Sequence, residues 1–153
     1  MAKQACSPGF EKILVATDGS LYSNAAVQEA IKLASTCSST LYVLLVIEVS
    51  AEIDMWDASA ADKLEKEMRN YLNGIKAKAA KSGVKCEVLL HLGDEPYKDI
   101  VTEAAKRKVS AIVMGSHESG RWAKNFLLGG IFLILAGLGA AILQKVQAII
   151  GGF

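Results

Sequence analysis

The sequence predicts an α/β protein with a doubly wound, Rossmann-like parallel sheet. Short apolar runs, which are typical of strands covered on both faces, alternate with segments whose apolar residues recur at helical spacing. The resulting order, β-α-β-α-β-α-β, favours a parallel sheet with crossover helices. A chain of 153 residues is long enough to bury the core of one such domain.

Four apolar runs carry the strand predictions. Each is short, rich in Val, Ile and Leu, and followed by a turn signal such as Asp-Gly, Gly-Asp or Gly-Ser. The predicted strands cover residues 12–16, 40–49, 84–92 and 109–114.

The helices are predicted from apolar stripes between these runs. The first covers residues 23–35, with Ser23 as N-cap. The second, residues 61–83, has the clearest stripe and ends at Gly83. The third follows Pro96, and its predicted inward-facing residues are Ile100, Val101, Ala104 and Ala105.

Composition excludes several functional classes. A net charge of +1 gives no electrostatic case for binding nucleic acid. The three cysteines, an odd number without CxxC spacing, argue against a disulfide framework or a zinc site and fit a reducing cytosol. The N-terminus has no apolar segment of the secretory type, so the α/β domain is expected to be cytoplasmic.

The stretch "MGSHESGRWAKNFLLGG", residues 114–130, is the candidate phosphate site. Glycines after a strand let backbone N–H groups approach a phosphate, and Arg121 and Lys124 add positive charge. The adjacent His117 and Glu118 form a weak acid–base candidate, because neighbouring residues rarely face each other productively. No catalytic triad, metal-ligand spacing or activated cysteine is present in the sequence, so no enzymatic activity is assigned.

Two stretches resemble the universal stress protein family. They are "KILVATDGSLYSNAAVQEAIKLA" and "GDEPYKDIVTEAAKRKVSAIVMGSHESGR", and with the strand between them the resemblance covers about residues 9–130. The resemblance implies an ATP site between the ends of the first and fourth strands. Asp18 would then lie beside the nucleotide sugar and Val46 near the adenine.

The resemblance also implies a phosphate loop, which this chain matches imperfectly. The matching residues are Gly115, Ser116, Gly120, Gly129 and Gly130. Glu118 stands where the family has its second glycine, and Gly130 replaces the usual Ser or Thr. Mg²⁺ is expected only with the nucleotide, and at most slow ATP hydrolysis would fit the family.

The chain departs from the family after Gly130. Residues 126–143 contain no charged, hydroxyl or amide side chain, so they predict a hydrophobic helix of about 27 Å, close to the thickness of a bilayer core. The favoured interpretation is a membrane anchor. Alternatively, Ile131–Leu143 is a helix buried in an oligomer and Lys145–Ile150 the last strand. The predicted divisions are a tail (1–8), the α/β domain (9–124) and a C-terminal segment (125–153).

Two functional hypotheses follow. The first is a regulatory domain that binds ATP or a related nucleotide, held by its apolar helix at the cytoplasmic membrane face, against a membrane partner, or in a homo-oligomer. The alternative is a soluble interaction and dimerisation module of the same fold that binds no nucleotide, with the helix buried in the oligomer.

Overall fold

The structure is a computed structural model that describes residues 10–49, 58–115, 131–137 and 140–145. In these residues the chain alternates strands and helices up to residue 115 and ends in two further strands. The elements are β1 (Lys12–Thr17), α1 (Leu21–Cys37), β2 (Thr40–Glu48), α2 (Ala58–Lys81), β3 (Lys85–Gly93), α3 (Pro96–Arg107), β4 (Ala111–Gly115), β5 (Ile131–Gly137) and β6 (Ala140–Lys145). The predicted α/β class is confirmed.

All six strands form one sheet in the order β3-β2-β1-β4-β5-β6. The first four strands are parallel to one another, β5 is antiparallel to β4, and β6 is antiparallel to β5. The chain moves outward from β1 to β2 and β3, then returns to β4 on the other side of β1. The order therefore reverses between β1 and β4, which is where open α/β sheets bind ligands.

The sheet is covered on both faces. Along β1, Ile13 and Val15 pack with α1 and α2, whereas Leu14 and Ala16 pack with α3. This alternation follows from the two-residue period of a strand, which points successive side chains to opposite faces. Because both faces are buried along most of β1, β2 and β4, these strands are almost continuously apolar, as predicted, whereas the edge strand β3 carries Lys85, Glu87 and His91.

Helix α1 begins earlier than predicted. Its N-cap is Ser20 rather than Ser23, and the Ser20 hydroxyl accepts a hydrogen bond from the Ser23 N–H at 3.2 Å. Ser23 lies in the first turn, where its own hydroxyl donates back to the Ser20 carbonyl. Either serine can cap a helix, and this reciprocal pair selects the earlier one.

The inward face of α3 is narrower than predicted. Ile100 and Ala104 are buried, but Val101 is 60% exposed and Ala105 is also exposed. Glu103, which no sequence pattern marks as inward-facing, is only 5% exposed. A buried carboxylate requires partners, and Glu103 has them in the ion pairs described below.

The predicted C-terminal helix is wrong for residues 131–137 and 140–143, which lie in β5 and β6. The two strands pair in antiparallel register, with Gly137 opposite Ala140. An uncharged run does not distinguish a helix from a strand covered on both faces, and its glycines disfavour a helix. No helix among the described residues is long and apolar enough to cross a membrane. Of the alternative strand, Lys145–Ile150, only Lys145 is among the described residues, as the last residue of β6.

The cysteines also differ from the prediction. Cys37 is disulfide-bonded, whereas Cys86 is a free, buried thiol. Burial raises the pKa of Cys86 to about 11. Sequence spacing excludes a CxxC motif but gives no distance between cysteines in the fold, so it could not predict the bond at Cys37.

Candidate functional site

Three predicted site residues lie at the carboxyl edge of the parallel strands. The register pairs Thr17 with Leu45 and Ala16 with Met114. Asp18 therefore follows β1 at the level of Val46 in β2, while Gly115, the last residue of β4, lies level with Thr17 on the other side. The remaining predicted residues, Ser116, Gly120, Gly129 and Gly130, lie outside the described residues, as do His117 and Glu118.

The turn between β1 and α1 holds the carboxylate of Asp18. The Ser20 N–H donates to Asp18 Oδ1 at 2.8 Å. Gly19 has a φ of +82°, a left-handed conformation that favours glycine, and this sharp turn brings Ser20 back to the carboxylate. Partial burial acts to raise the pKa of Asp18, but hydrogen bonds from Ser20 and Ser23 outweigh it, and the pKa lies below its ordinary value. Asp18 is therefore ionised at neutral pH.

A hydroxyl network fixes this turn to the helices behind it. Thr17 Oγ1 lies 2.8 Å from Ser23 Oγ and 3.3 Å from the Tyr71 hydroxyl, and it accepts from the Gly19 N–H at 3.1 Å. Since Ser23 donates to the Ser20 carbonyl, Thr17 donates to Ser23, and Tyr71 therefore donates to Thr17. Thr17 thus uses its one donor and two acceptor positions.

Helix α2 forms a wall beside the same turn. A Cβ at Gly19 would lie 3.8 Å from Met68 Sδ, and Tyr71 is one turn further along the helix. Both residues belong to the apolar stripe from which the helix was predicted. Nothing in the spacing showed that the Tyr71 hydroxyl reaches β1, so the support of the turn by α2 was missed.

The α3 face of the edge carries a histidine between two carboxylates. His91 Nδ1 lies 3.5 Å from Asp99 Oδ1, and His91 Nε2 lies 3.5 Å from Glu103 Oε1. The register pairs His91 with Val46. The histidine is therefore packed between β3 and α3, and it lies in the same row of the sheet as Asp18 and Val46.

Glu103 links α3 to the sheet through Arg107. Arg107 Nε donates to Glu103 Oε2 at 3.0 Å, and Arg107 Nη1 donates to Glu87 Oε2 of β3 at 2.9 Å. The guanidinium also lies 4.9 Å from the ring centroid of Tyr42 in β2. Burial acts to raise the pKa of Glu103, but the hydrogen bond from Arg107 outweighs it and the pKa lies below its ordinary value. This cluster fixes the position of α3 over the edge.

The described residues contain no group of three His, Cys, Asp or Glu side chains placed to hold a metal ion. The side chains that this part of the chain does place at the edge are a fixed carboxylate, an apolar valine and a glycine at the end of β4. They can accept hydrogen bonds from hydroxyl groups, contact an aromatic ring and let a ligand approach backbone.

The chain is similar to known proteins over most of its length. The sequence model of the universal stress protein family matches residues 9–131. A universal stress protein of Methanocaldococcus jannaschii is 31% identical over 112 residues, which cover 70% of this chain and 65% of that protein. The chain therefore spans just under two thirds of the length of this relative.

Solved structures agree with this assignment. A universal stress protein family member from Burkholderia pseudomallei is 25% identical, with a TM-score of 0.67 over 79% of this chain and 92% of that one. A universal stress protein in complex with cAMP covers 69% of this chain and 72% of its own, with a TM-score of 0.55 at 20% identity. One from Archaeoglobus fulgidus in complex with dAMP covers 68% and 79%, with a TM-score of 0.52 at 22% identity, so the last two show the fold alone. The chain belongs to the universal stress protein family.

Proposed function

We propose that this chain is a regulatory domain that binds ATP or a related nucleotide at the carboxyl edge of its sheet, between β1 and β4. The observation that carries the proposal is the turn after β1. It holds an exposed, ionised Asp18 carboxylate at the topological switch point, with Val46 on one side and Gly115 on the other.

Each of these residues has a role that suits its chemistry. An ionised carboxylate only accepts hydrogen bonds, and the hydroxyls of ribose donate them, so Asp18 binds the sugar. Val46 offers apolar contact to the base. Gly115 has no Cβ, so backbone can approach the phosphates. The complexes of the two related proteins with cAMP and dAMP support the ability of this fold to hold an adenine nucleotide.

The phosphate loop is proposed from the sequence. Ser116, Gly120, Gly129 and Gly130 would offer backbone N–H groups to the phosphates. Mg²⁺ would arrive with the nucleotide, held mainly by phosphate oxygens and water, since it keeps several waters at most nucleotide sites. Binding would shift the conformation or oligomeric state of the domain, and a partner would sense that change.

Isothermal titration of the full-length protein with ATP tests the proposal. We expect saturable heat, and an Asp18→Asn variant with at least about tenfold weaker binding, because a hydrogen bond to a charged acceptor contributes about 1.5–3 kcal/mol. Glu11→Gln is the matched control, since it removes one carboxylate at the opposite edge of the sheet. Absence of heat at millimolar ATP would overturn the proposal.

A second candidate is an interaction module that binds no nucleotide. The sequence of the phosphate loop favours it, because Glu118 replaces a glycine and would repel a triphosphate. This candidate predicts homo-oligomers whose sedimentation is the same with and without ATP and in Asp18→Asn. Strands β5 and β6 stand where the membrane-anchoring helix was predicted, so neither candidate includes an anchor.

A further inference from the structure

Gly93, the last residue of β3, leaves space for the Asp99 carboxylate next to Val46, the residue proposed to contact the base. A Cβ on Gly93 would overlap Asp99 Oδ2 and would lie 3.6 Å from Val46 Cγ1. The carboxylate of Asp99 and the methyl group of Val46 therefore lie against the same point of the β3 backbone. In the proposed function, Val46 contacts the base of the nucleotide.

Asp99 has an oxygen available to a ligand. Its Oδ1 faces His91 at 3.5 Å, and Oδ2 has no hydrogen-bond partner among the described residues. The side chain is about a third exposed, at 31%, so a ligand at the edge can reach it. Because an ionised carboxylate has acceptor sites only, the group that Oδ2 can bind must be a donor.

A purely structural role explains only part of this arrangement. An acidic residue in the first turn of α3 stabilises the positive end of the helix, and Asp99 also faces His91. Neither role requires glycine at position 93. The backbone of Gly93 is not in the left-handed region, so what glycine supplies there is space. That space lets the carboxylate lie beside Val46.

We infer that Asp99 is a specificity-determining residue, which accepts a hydrogen bond from the exocyclic amino group of the bound base. This inference rests on the proposed function and deepens it, because it selects amino-bearing bases such as adenine. A site that places an acceptor opposite an amino group discriminates against an analogue that lacks the amino group, since the carboxylate would then be desolvated without a partner.

The experiment compares two nucleotides that differ only in the amino group. Full-length protein is titrated with ATP and with purine riboside 5′-triphosphate, which has the same ring nitrogens and hydrogen in place of the amino group. We expect ATP to bind at least about tenfold more tightly, which corresponds to the loss of one charge-assisted hydrogen bond. Asp99→Ala is expected to reduce the ratio to less than about threefold, and the shape-preserving Asp99→Asn to an intermediate value.

Asp94→Ala is the matched control, because it removes an exposed carboxylate from the same connection and is expected to leave the ratio at the wild-type value. If the wild type binds neither nucleotide, the proposed function fails and the inference fails with it. If it binds both equally, the proposed function stands and the inference is overturned, whether or not the variants fold. An unchanged ratio in both folded Asp99 variants likewise overturns it.

Discussion

Thr17 is the residue on which the site's geometry depends most directly, and Thr17→Val tests that dependence. Valine has nearly the same shape but no hydroxyl, so the substitution removes contacts to Ser23, Tyr71 and the Gly19 N–H at 2.8, 3.3 and 3.1 Å. Gly19 is exposed and Tyr71 half-buried, so water can replace part of what they lose. Ser23 is 6% exposed and loses its shortest contact, although its hydroxyl keeps the longer contacts to Ser20 Oγ at 3.3 Å and to the Asp18 N–H at 3.4 Å.

The expected loss in the free energy of unfolding is about 2 kcal/mol, because the substitution removes three hydrogen bonds that contribute about 0.5–1.5 kcal/mol each, and water and the remaining partners replace part of that. For a chain of this size that corresponds to a fall of about 4–8 °C in Tm. Urea denaturation of the full chain measures it, with an unchanged m-value as the check on two-state behaviour. Tyr71→Phe removes one of the three contacts and should cost less, about 0.5–1.5 kcal/mol.

The double variant Thr17→Val/Tyr71→Phe should lose less than the sum of the two single losses, because both changes remove the same hydrogen bond. Thr102→Val makes the same chemical change at an exposed position of α3 and should alter stability by no more than about 0.5 kcal/mol. A Thr17→Val protein as stable as Thr102→Val, or strictly additive losses, would refute the hydrogen-bond assignment at this turn.

Two further substitutions test the α3 face. Glu103→Gln should lower the free energy of unfolding at pH 7 and flatten its acid dependence. The pKa of Glu103 is lowered on folding, so the carboxylate contributes fully to stability above the ordinary carboxyl pKa, and this contribution is lost as the pH falls through the pKa of the folded state. Urea titrations between pH 7 and 3 measure it. Stabilities of the wild type and Glu103→Gln that fall in parallel over this range would contradict the argument. Gly93→Ala should change stability by less than about 1 kcal/mol, since the Asp99 carboxylate can rotate away, yet it should reduce the preference for ATP over purine riboside 5′-triphosphate. Thermal melts measure the change in stability, and paired titrations measure the preference for ATP over purine riboside 5′-triphosphate. If Gly93→Ala left this preference unchanged, the space beside Gly93 would have no role in positioning Asp99.

The sequence predicted those parts of the fold that local patterns determine. Each predicted run up to residue 115 is a strand; β1, β2 and β4 are covered on both faces and are therefore apolar, and the edge strand β3 shows some alternation. Parallel strands end at one edge, so the strand order was enough to predict that Asp18 and Gly115 lie together, whereas Val46 was named only through the family resemblance. Residues 131–137 and 140–143 were mispredicted because an uncharged run has no helical or strand periodicity, and only the pairing of β5 with β4 and β6 determines that these residues form strands.

Contacts between elements that are far apart in the chain could not be predicted from the sequence. The Tyr71 hydroxyl reaches Thr17 only because α2 packs beside β1, across 54 positions of the chain. Asp99 lies against Gly93 only because α3 folds back over β3, and both residues otherwise resemble ordinary helix-start and strand-end residues. Packing of the helices against the sheet therefore determines that Tyr71 supports the turn after β1 and that Asp99, the residue inferred to select the base, lies at the candidate site.

The pairing of Gly115 with Ile131 sets limits on the proposed phosphate loop. Gly115, where the chain leaves the sheet, and Ile131, where it re-enters, are therefore neighbours at the edge that carries Asp18. Gly130 directly precedes Ile131 and Gly129 is two residues away, so chain geometry keeps Gly129 within about 7 Å of that edge, whereas Gly120 can lie up to about 18 Å from Gly115. Gly130→Val should therefore weaken ATP binding more than Gly120→Val. Titration of both full-length variants measures the difference, with circular dichroism to check that each is folded. Equal losses, or a larger loss at Gly120, would mean that the phosphates lie away from the paired ends of β4 and β5.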